Sequence, residues 1–174
     1  LGDGGAGLDQ PRLFGARAEV PEEVAFSIPL ASVAKVKKLA ARGGSSSIER
    51  GGGGGALLIE KIVAYASTRV VIVCDEGKLV EHLGLGFPIA VEVVQEARLT
   101  AARALERLGG RATLRMAERK MGAVITDGGH MILDTSFDEP FDPMAMEREM
   151  NMIPGAVENG LFTRANPFVL IARA

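Results

Sequence analysis

GGGGGALLIEKIVAYASTRVVIVCDEGK, residues Gly51 to Lys78, decides how the chain is read. Five glycines run directly into a helix-forming segment, and a block of β-branched residues, Val70 to Val73, follows it. So short an apolar run fits a strand buried on both faces, as in a parallel sheet. Glycines let backbone N–H groups converge on an anion, because they adopt positive φ at little steric cost. A helix start adds four unpaired N–H groups and a positive dipole end. An anionic substrate or a developing oxyanion fits such a place, with the Glu60 carboxylate nearby as a base. The competing reading is a flexible linker that happens to precede a helix.

Within the helix, Leu58, Ile62, Tyr65 and Ala66 follow i, i+4, i+7, i+8 spacing and form the expected buried stripe. Glu60 then lies nearly opposite, pointing to solvent or into a cleft. Solvent is the commoner fate of a helical glutamate. Asp75 and Glu76 stand at the carboxyl end of the strand, with Gly77 and Lys78 after them. Ligands gather at the carboxyl ends of strands in open α/β sheets, which makes Lys78 a candidate anion contact.

The 174 residues suit one domain, or a domain with a small insert. Hydrophobic content of 47% against 24% charged residues is the balance of a soluble globular protein. A net charge of −2 gives no electrostatic reason to expect nucleic acid or an anionic membrane. No apolar run approaches the ~20 residues that span a bilayer. The opening has no basic segment followed by an apolar one, so no signal peptide is expected and the cytoplasm is the default compartment. The first residue is Leu1 rather than Met, which suggests that the natural start is missing. Cys74 is the single cysteine, and His82 and His130 lie far apart without ligand-spaced neighbours. No metal site is expected from that set.

The first 50 residues read as a glycine-rich opening, a short strand at Val24–Ile28 and a helix at Ser32–Arg42 closed by Gly43 and Gly44. From residue 90 the texture changes. Strands are expected at Ala90–Val94, Ala112–Arg115, Met131–Thr135 and Ala156–Leu161, and helices at Glu96–Leu108 and Pro143–Met152. That β-α-β-β-α-β order is the split pattern of a ferredoxin-like unit. Phe168–Ala172 is a last apolar strand that returns to the first sheet. Cys74 is expected to be buried in its strand, and His130 to lie at the surface. Met144, Met146, Met150 and Met152 are expected to pack a helix.

Taken in order, these landmarks resemble the A-type ribose-5-phosphate isomerase family. GGGGGALLIEKIVA is similar to that family's KGGGGALLREKIVA, and VIVCDEGKLVEHLG to IIADESKLVEKLG. FPIAVEVV resembles FPLPVEVV, VITDGGHMILD resembles VVTDNGNYILD, and NMIPGAVENGLF resembles IPGVVENGLF. The likeness runs from Gly51 to Ala172. In the N-terminal third, LGDGGAG corresponds to the phosphate loop GLGTGST, with Asp3, Gly4, Gly5 and Ala6 in its binding positions. Asp3 then stands for a threonine and Ala6 for another hydroxyl residue. The family's DGADE motif is absent between Arg42 and Gly51, and Gly51 occupies the place of the family's lysine.

The resemblance implies an α/β fold: a Rossmann-like parallel-sheet domain (1–89 plus 163–174) with a smaller ferredoxin-like α+β domain (90–162). It implies interconversion of ribose 5-phosphate and ribulose 5-phosphate through an enediolate. Glu60 is then the proton-transfer base, and the amides of Gly51, Gly52, Gly53 and Gly54 face the enediolate or the sugar oxygens. Lys78 corresponds to a lysine that contacts substrate. No metal or organic cofactor is implied. The partners implied are a sugar phosphate and further copies of the chain, in a homodimer or homotetramer. A non-catalytic sugar-phosphate sensor on the same scaffold is the alternative. A generic nucleotide-binding domain fits less well, because there is neither a G-x-G-x-x-G turn after a strand nor a Walker lysine–hydroxyl pair.

Overall fold

Ile89, Val91 and Val93 alternate with Ala90 and Glu92, the period of a strand with one face on a core. The computed structural model, which describes residues 55–117 and 121–172, places that strand second of six. The elements in order are α1 (Leu57–Ala66), β1 (Val71–Asp75), β2 (Ile89–Val93), α2 (Arg98–Arg107), β3 (Gly110–Leu114), β4 (Met131–Phe137), α3 (Pro143–Asn151), β5 (Ala156–Asn159) and β6 (Phe168–Ala172). The expected strand at Val24–Ile28, the helix at Ser32–Arg42, and the candidate residues Asp3, Gly4, Gly5, Ala6 and Gly51 to Gly54 lie outside the described residues.

Two sheets form. β1 and β6 pair in parallel, Val71 opposite Phe168 through Asp75 opposite Ala172, so the last apolar segment does return to the first strand. The other sheet has the order β3-β4-β2-β5, antiparallel throughout. Its β-α-β-β-α-β connection is the one the residue pattern predicts. The described residues thus make a mixed α/β fold with a parallel and an antiparallel sheet.

The antiparallel sheet carries its core on one face. Val91, Val93, Leu133 and Phe137 pack with Ala101 and Leu105 of α2 and Met150 of α3. α3 starts cleanly: the Asp142 carboxylate accepts from the Met144 and Ala145 amides, and Pro143 occupies the first helical position. Of the four methionines expected to pack there, Met150 is buried and Met146 rests on the core, while Met144 and Met152 are exposed. Cys74 is buried, as expected.

The stripe expected on α1 is not the one observed. Its buried residues are Leu57 and Lys61, while Ile62 is 55% exposed. Apolar periodicity selects Leu58, Ile62, Tyr65 and Ala66 because it scores lysine as a surface residue. Lys61 is buried because carboxylates from α3 and β5 neutralise it there.

Candidate active site

α1 begins where the glycine run ends. Gly55 has φ +85°, and a Cβ there would stand 2.8 Å from Ile132 Cδ1 of β4. Only glycine lets the backbone turn this way while lying against the sheet. Ala56 offers no side-chain cap, and the first intrahelical bond runs from the Glu60 amide to Ala56 O at 3.0 Å. The amides ahead of it belong to the unpaired first turn of the helix.

A cleft opens at this helix end. Gly55, Ala56, Leu57 and Glu60 form one side. The segment from Leu83 to Ala90 forms a second, and Gly160 to Phe162 with Arg115 a third. Glu60, half-buried, thus lines a cavity, the less common of the two fates open to it in the sequence. The walls are mostly apolar, with Glu60, His82 and Arg115 as the ionisable side chains. Such walls exclude water and strengthen electrostatic interactions inside.

Arg115 was not singled out in the sequence. Its Nε donates to Asp134 Oδ2 at 2.8 Å and its Nη2 to Asp134 Oδ1, a two-pronged pair that fixes the guanidinium at the cleft. Lys78 lies in a single 3₁₀ turn directly after β1, half-buried, and is not among the side chains that form this cleft.

Behind Glu60, on the next residue of α1, is a buried charge cluster. Lys61 Nζ lies 3.0 Å from Glu147 Oε1 and 2.7 Å from Glu158 Oε1. Tyr65 Oη donates to Glu147 Oε1 at 2.7 Å, and Thr163 donates both its amide and its hydroxyl to Glu147 Oε2. Burial alone would raise the Glu147 pKa. Hydrogen bonds from Thr163, Tyr65 and Lys61 outweigh it and hold the carboxyl below its ordinary value. Burial, then the bond to Glu147, pushes the Tyr65 hydroxyl up to about 12.

The pH dependence of stability follows. The folded state binds the Glu147 proton more weakly than the unfolded chain does. Its contribution is therefore complete above the unfolded carboxylate pKa and fades as pH falls through the lowered value. Tyr65 holds its proton more tightly when folded, so its contribution fades as pH rises from about 10 to about 12. Denaturant titrations of wild type and Glu147→Gln should differ most near pH 7, and the gap should narrow in acid. A gap that is constant from pH 7 to pH 3 would show that Glu147 is not held ionised by this network.

A second polar group sits on the sheet beneath Gly55. Buried Glu92 Oε1 accepts from Thr126 Oγ1 at 2.8 Å and lies 2.9 Å from His130 Nδ1. His130, expected at the surface, is thus tied into the sheet at 26% side-chain exposure, because Glu92 offers it a buried acceptor. Asn159 is fully buried in β5 and donates to Asn151 and to the Glu147 carbonyl. Among the described residues, no group of three His, Cys, Asp or Glu side chains is placed to hold a metal ion. No described helix is long and apolar enough to cross a membrane.

Residues 49–174 match the family described as ribose 5-phosphate isomerase A, or phosphoriboisomerase A. Ribose-5-phosphate isomerase A of Methanocaldococcus jannaschii is 49% identical over 107 residues, 62% of this chain and 47% of the relative. A Synechococcus protein of the same name is 45% identical over 112 residues, 64% of this chain and 48% of the relative. Among solved structures, the M. jannaschii enzyme superposes with a TM-score of 0.66 at 46% identity, covering 70% of this chain and 53% of that one. A D-ribose-5-phosphate isomerase in complex with phospho-erythronic acid superposes at 0.65 with 39% identity, covering 68% and 52%. The chain spans about half the length of the relatives it matches. With the matched residues running through α1, the cleft and both sheets, the chain belongs to the ribose 5-phosphate isomerase A family.

Proposed function

We propose that the protein interconverts D-ribose 5-phosphate and D-ribulose 5-phosphate, with Glu60 as the base. The observation that carries this reading is the position of Glu60. It is a carboxylate at the amino end of an uncapped helix, lining a largely apolar cleft. It lies within the segment shared with the family.

The Glu60 carboxylate takes the proton from C2 of the open-chain aldose. The C–H electron pair becomes the C1=C2 bond, and the negative charge moves to O1, which is protonated. Loss of the O2 proton forms the C2 carbonyl, and C1 recovers a proton from Glu60. The base must be ionised and within reach of the C2 proton near neutral pH. The oxyanion needs donors already in place. We assign that role to the amides of Gly51 to Gly54, which lead into α1. Lys78, directly after β1, is assigned to the substrate's anionic end, as are the main-chain amides of Asp3, Gly4, Gly5 and Ala6 at the opening of the chain. The division into 1–89 plus 163–174 and 90–162 is part of the same proposal, as is assembly into a homodimer or homotetramer in the cytoplasm.

The phospho-erythronic acid held by the related structure fits this chemistry, since a planar carboxylate resembles a planar enediolate. The test is direct turnover of ribose 5-phosphate to ribulose 5-phosphate in the presence of EDTA. Turnover supports the reading and the expected independence from metal. Binding of ribose 5-phosphate without turnover selects the sensor alternative. Lys78→Ala should mainly raise KM, by about tenfold or more for one lost charge-assisted contact. An unchanged KM would place Lys78 outside the substrate's reach.

A further inference from the structure

We propose that Lys61 is a positioning residue that sets the rotation of α1 and thereby the aim of Glu60, a role that rests on the isomerase reading above. Successive residues of a helix are about 100° apart, so Lys61 and Glu60 leave α1 on different sides. Glu60 lines the cleft, while Lys61 is 2% exposed. Lys61 is held by Glu147 of α3 at 3.0 Å, by Glu158 of β5 at 2.7 Å and by Asn159 Oδ1 at 3.5 Å. Its Nζ also sits 5.2 Å from the centre of the Phe162 ring, and Phe162 lines the cleft beside Glu60. One turn further on, Tyr65 repeats the grip by donating to Glu147. α1 is therefore fastened at two points on one side.

The rest of the helix does not fix its rotation as firmly. Leu57 is its other buried side chain among the described residues, and Ile59 and Ile62 are exposed. A buried ion cluster is a poor source of stability compared with an apolar seam of the same volume. Its directional bonds do, however, admit one orientation. A carboxylate about 6 Å from a helix axis moves by about 1 Å when the helix turns by about 10°. A displacement of that size costs ~10²-fold in rate.

The test compares wild type with Lys61→Met and with the double variant Lys61→Met/Glu158→Gln. The single variant strands the buried Glu147 and the part-buried Glu158 carboxylates and is expected to lose stability. The double variant removes one positive and one negative charge, so the cluster keeps its net charge, and Glu147 keeps its bonds from Tyr65 and Thr163. With its circular dichroism unchanged, it should show kcat lowered by ~10²-fold while KM stays within about threefold. A folded double variant with wild-type kcat overturns the proposal, as does one that loses KM and kcat together. A wild-type protein without turnover removes the isomerase reading, and this role with it. Loss confined to the variant's kcat establishes the role.

Discussion

Glu60→Gln is expected to lower kcat for ribose 5-phosphate isomerisation by ~10³-fold or more while KM stays within about tenfold. The amide has nearly the shape of the carboxylate, so the cleft wall keeps its form and the substrate still binds. What is lost is the only group in this account that accepts the carbon-bound proton. A positioned general base contributes ~10²–10⁴-fold, and here the same group must act twice in each turnover. A factor of ~10³ corresponds to about 4 kcal/mol of transition-state stabilisation. Glu60 is half-buried and outside the apolar core, so the variant should fold with an unchanged melting temperature. Turnover at the wild-type rate would remove Glu60 from the mechanism.

The largest expected effect on stability is at Gly155. This residue turns the chain from α3 into β5 with φ +86° and accepts a hydrogen bond from the Val94 amide at 2.9 Å. A Cβ there would stand 2.1 Å from the Cβ of Ala97, which leads into α2. Gly155→Ala therefore combines left-handed backbone strain, about 1–2 kcal/mol, with overpacking, about 1–3 kcal/mol. Thermal unfolding should shift down by roughly 10 °C for a chain of this size. Adding Ala97→Gly should recover the steric share and leave the backbone share. A Gly155→Ala protein that melts with wild type would contradict the packing of this turn against α2.

The elements from residue 56 onward were legible because each is punctuated. Gly109, Pro143 and Pro154 mark ends, and the alternation of large apolar residues in β2 and the helical spacing in α2 mark types. α3 was legible at its start for the same reason, with Asp142 capping and Pro143 following. The buried side of α1 was not. The partners that make Lys61 a core residue stand 86 and 97 positions away, and no local period records them. His130 was misread for the same reason, since the buried Glu92, 38 positions away, holds it.

The candidate site divides along the same line. The position of Glu60 near the start of α1 was visible because the glycines and the helix start are contiguous in sequence, but helical spacing alone favoured solvent, and the cleft that it lines is built by segments distant in sequence. Arg115 was not visible, because its place at the cleft depends on β3 lying beside β4, where Asp134 fixes it. A pattern of residue types shows which chemistry is present. The long-range pairs decide which groups share a cavity.

The most direct test of the account follows the hydrogen itself. Ribose 5-phosphate incubated with the wild-type protein in D₂O containing EDTA should acquire deuterium at C1 of the ribulose 5-phosphate formed, and Glu60→Gln should abolish both exchange and turnover. Exchange or turnover in Glu60→Gln at the wild-type rate would contradict a carboxylate carrying the proton between adjacent carbons.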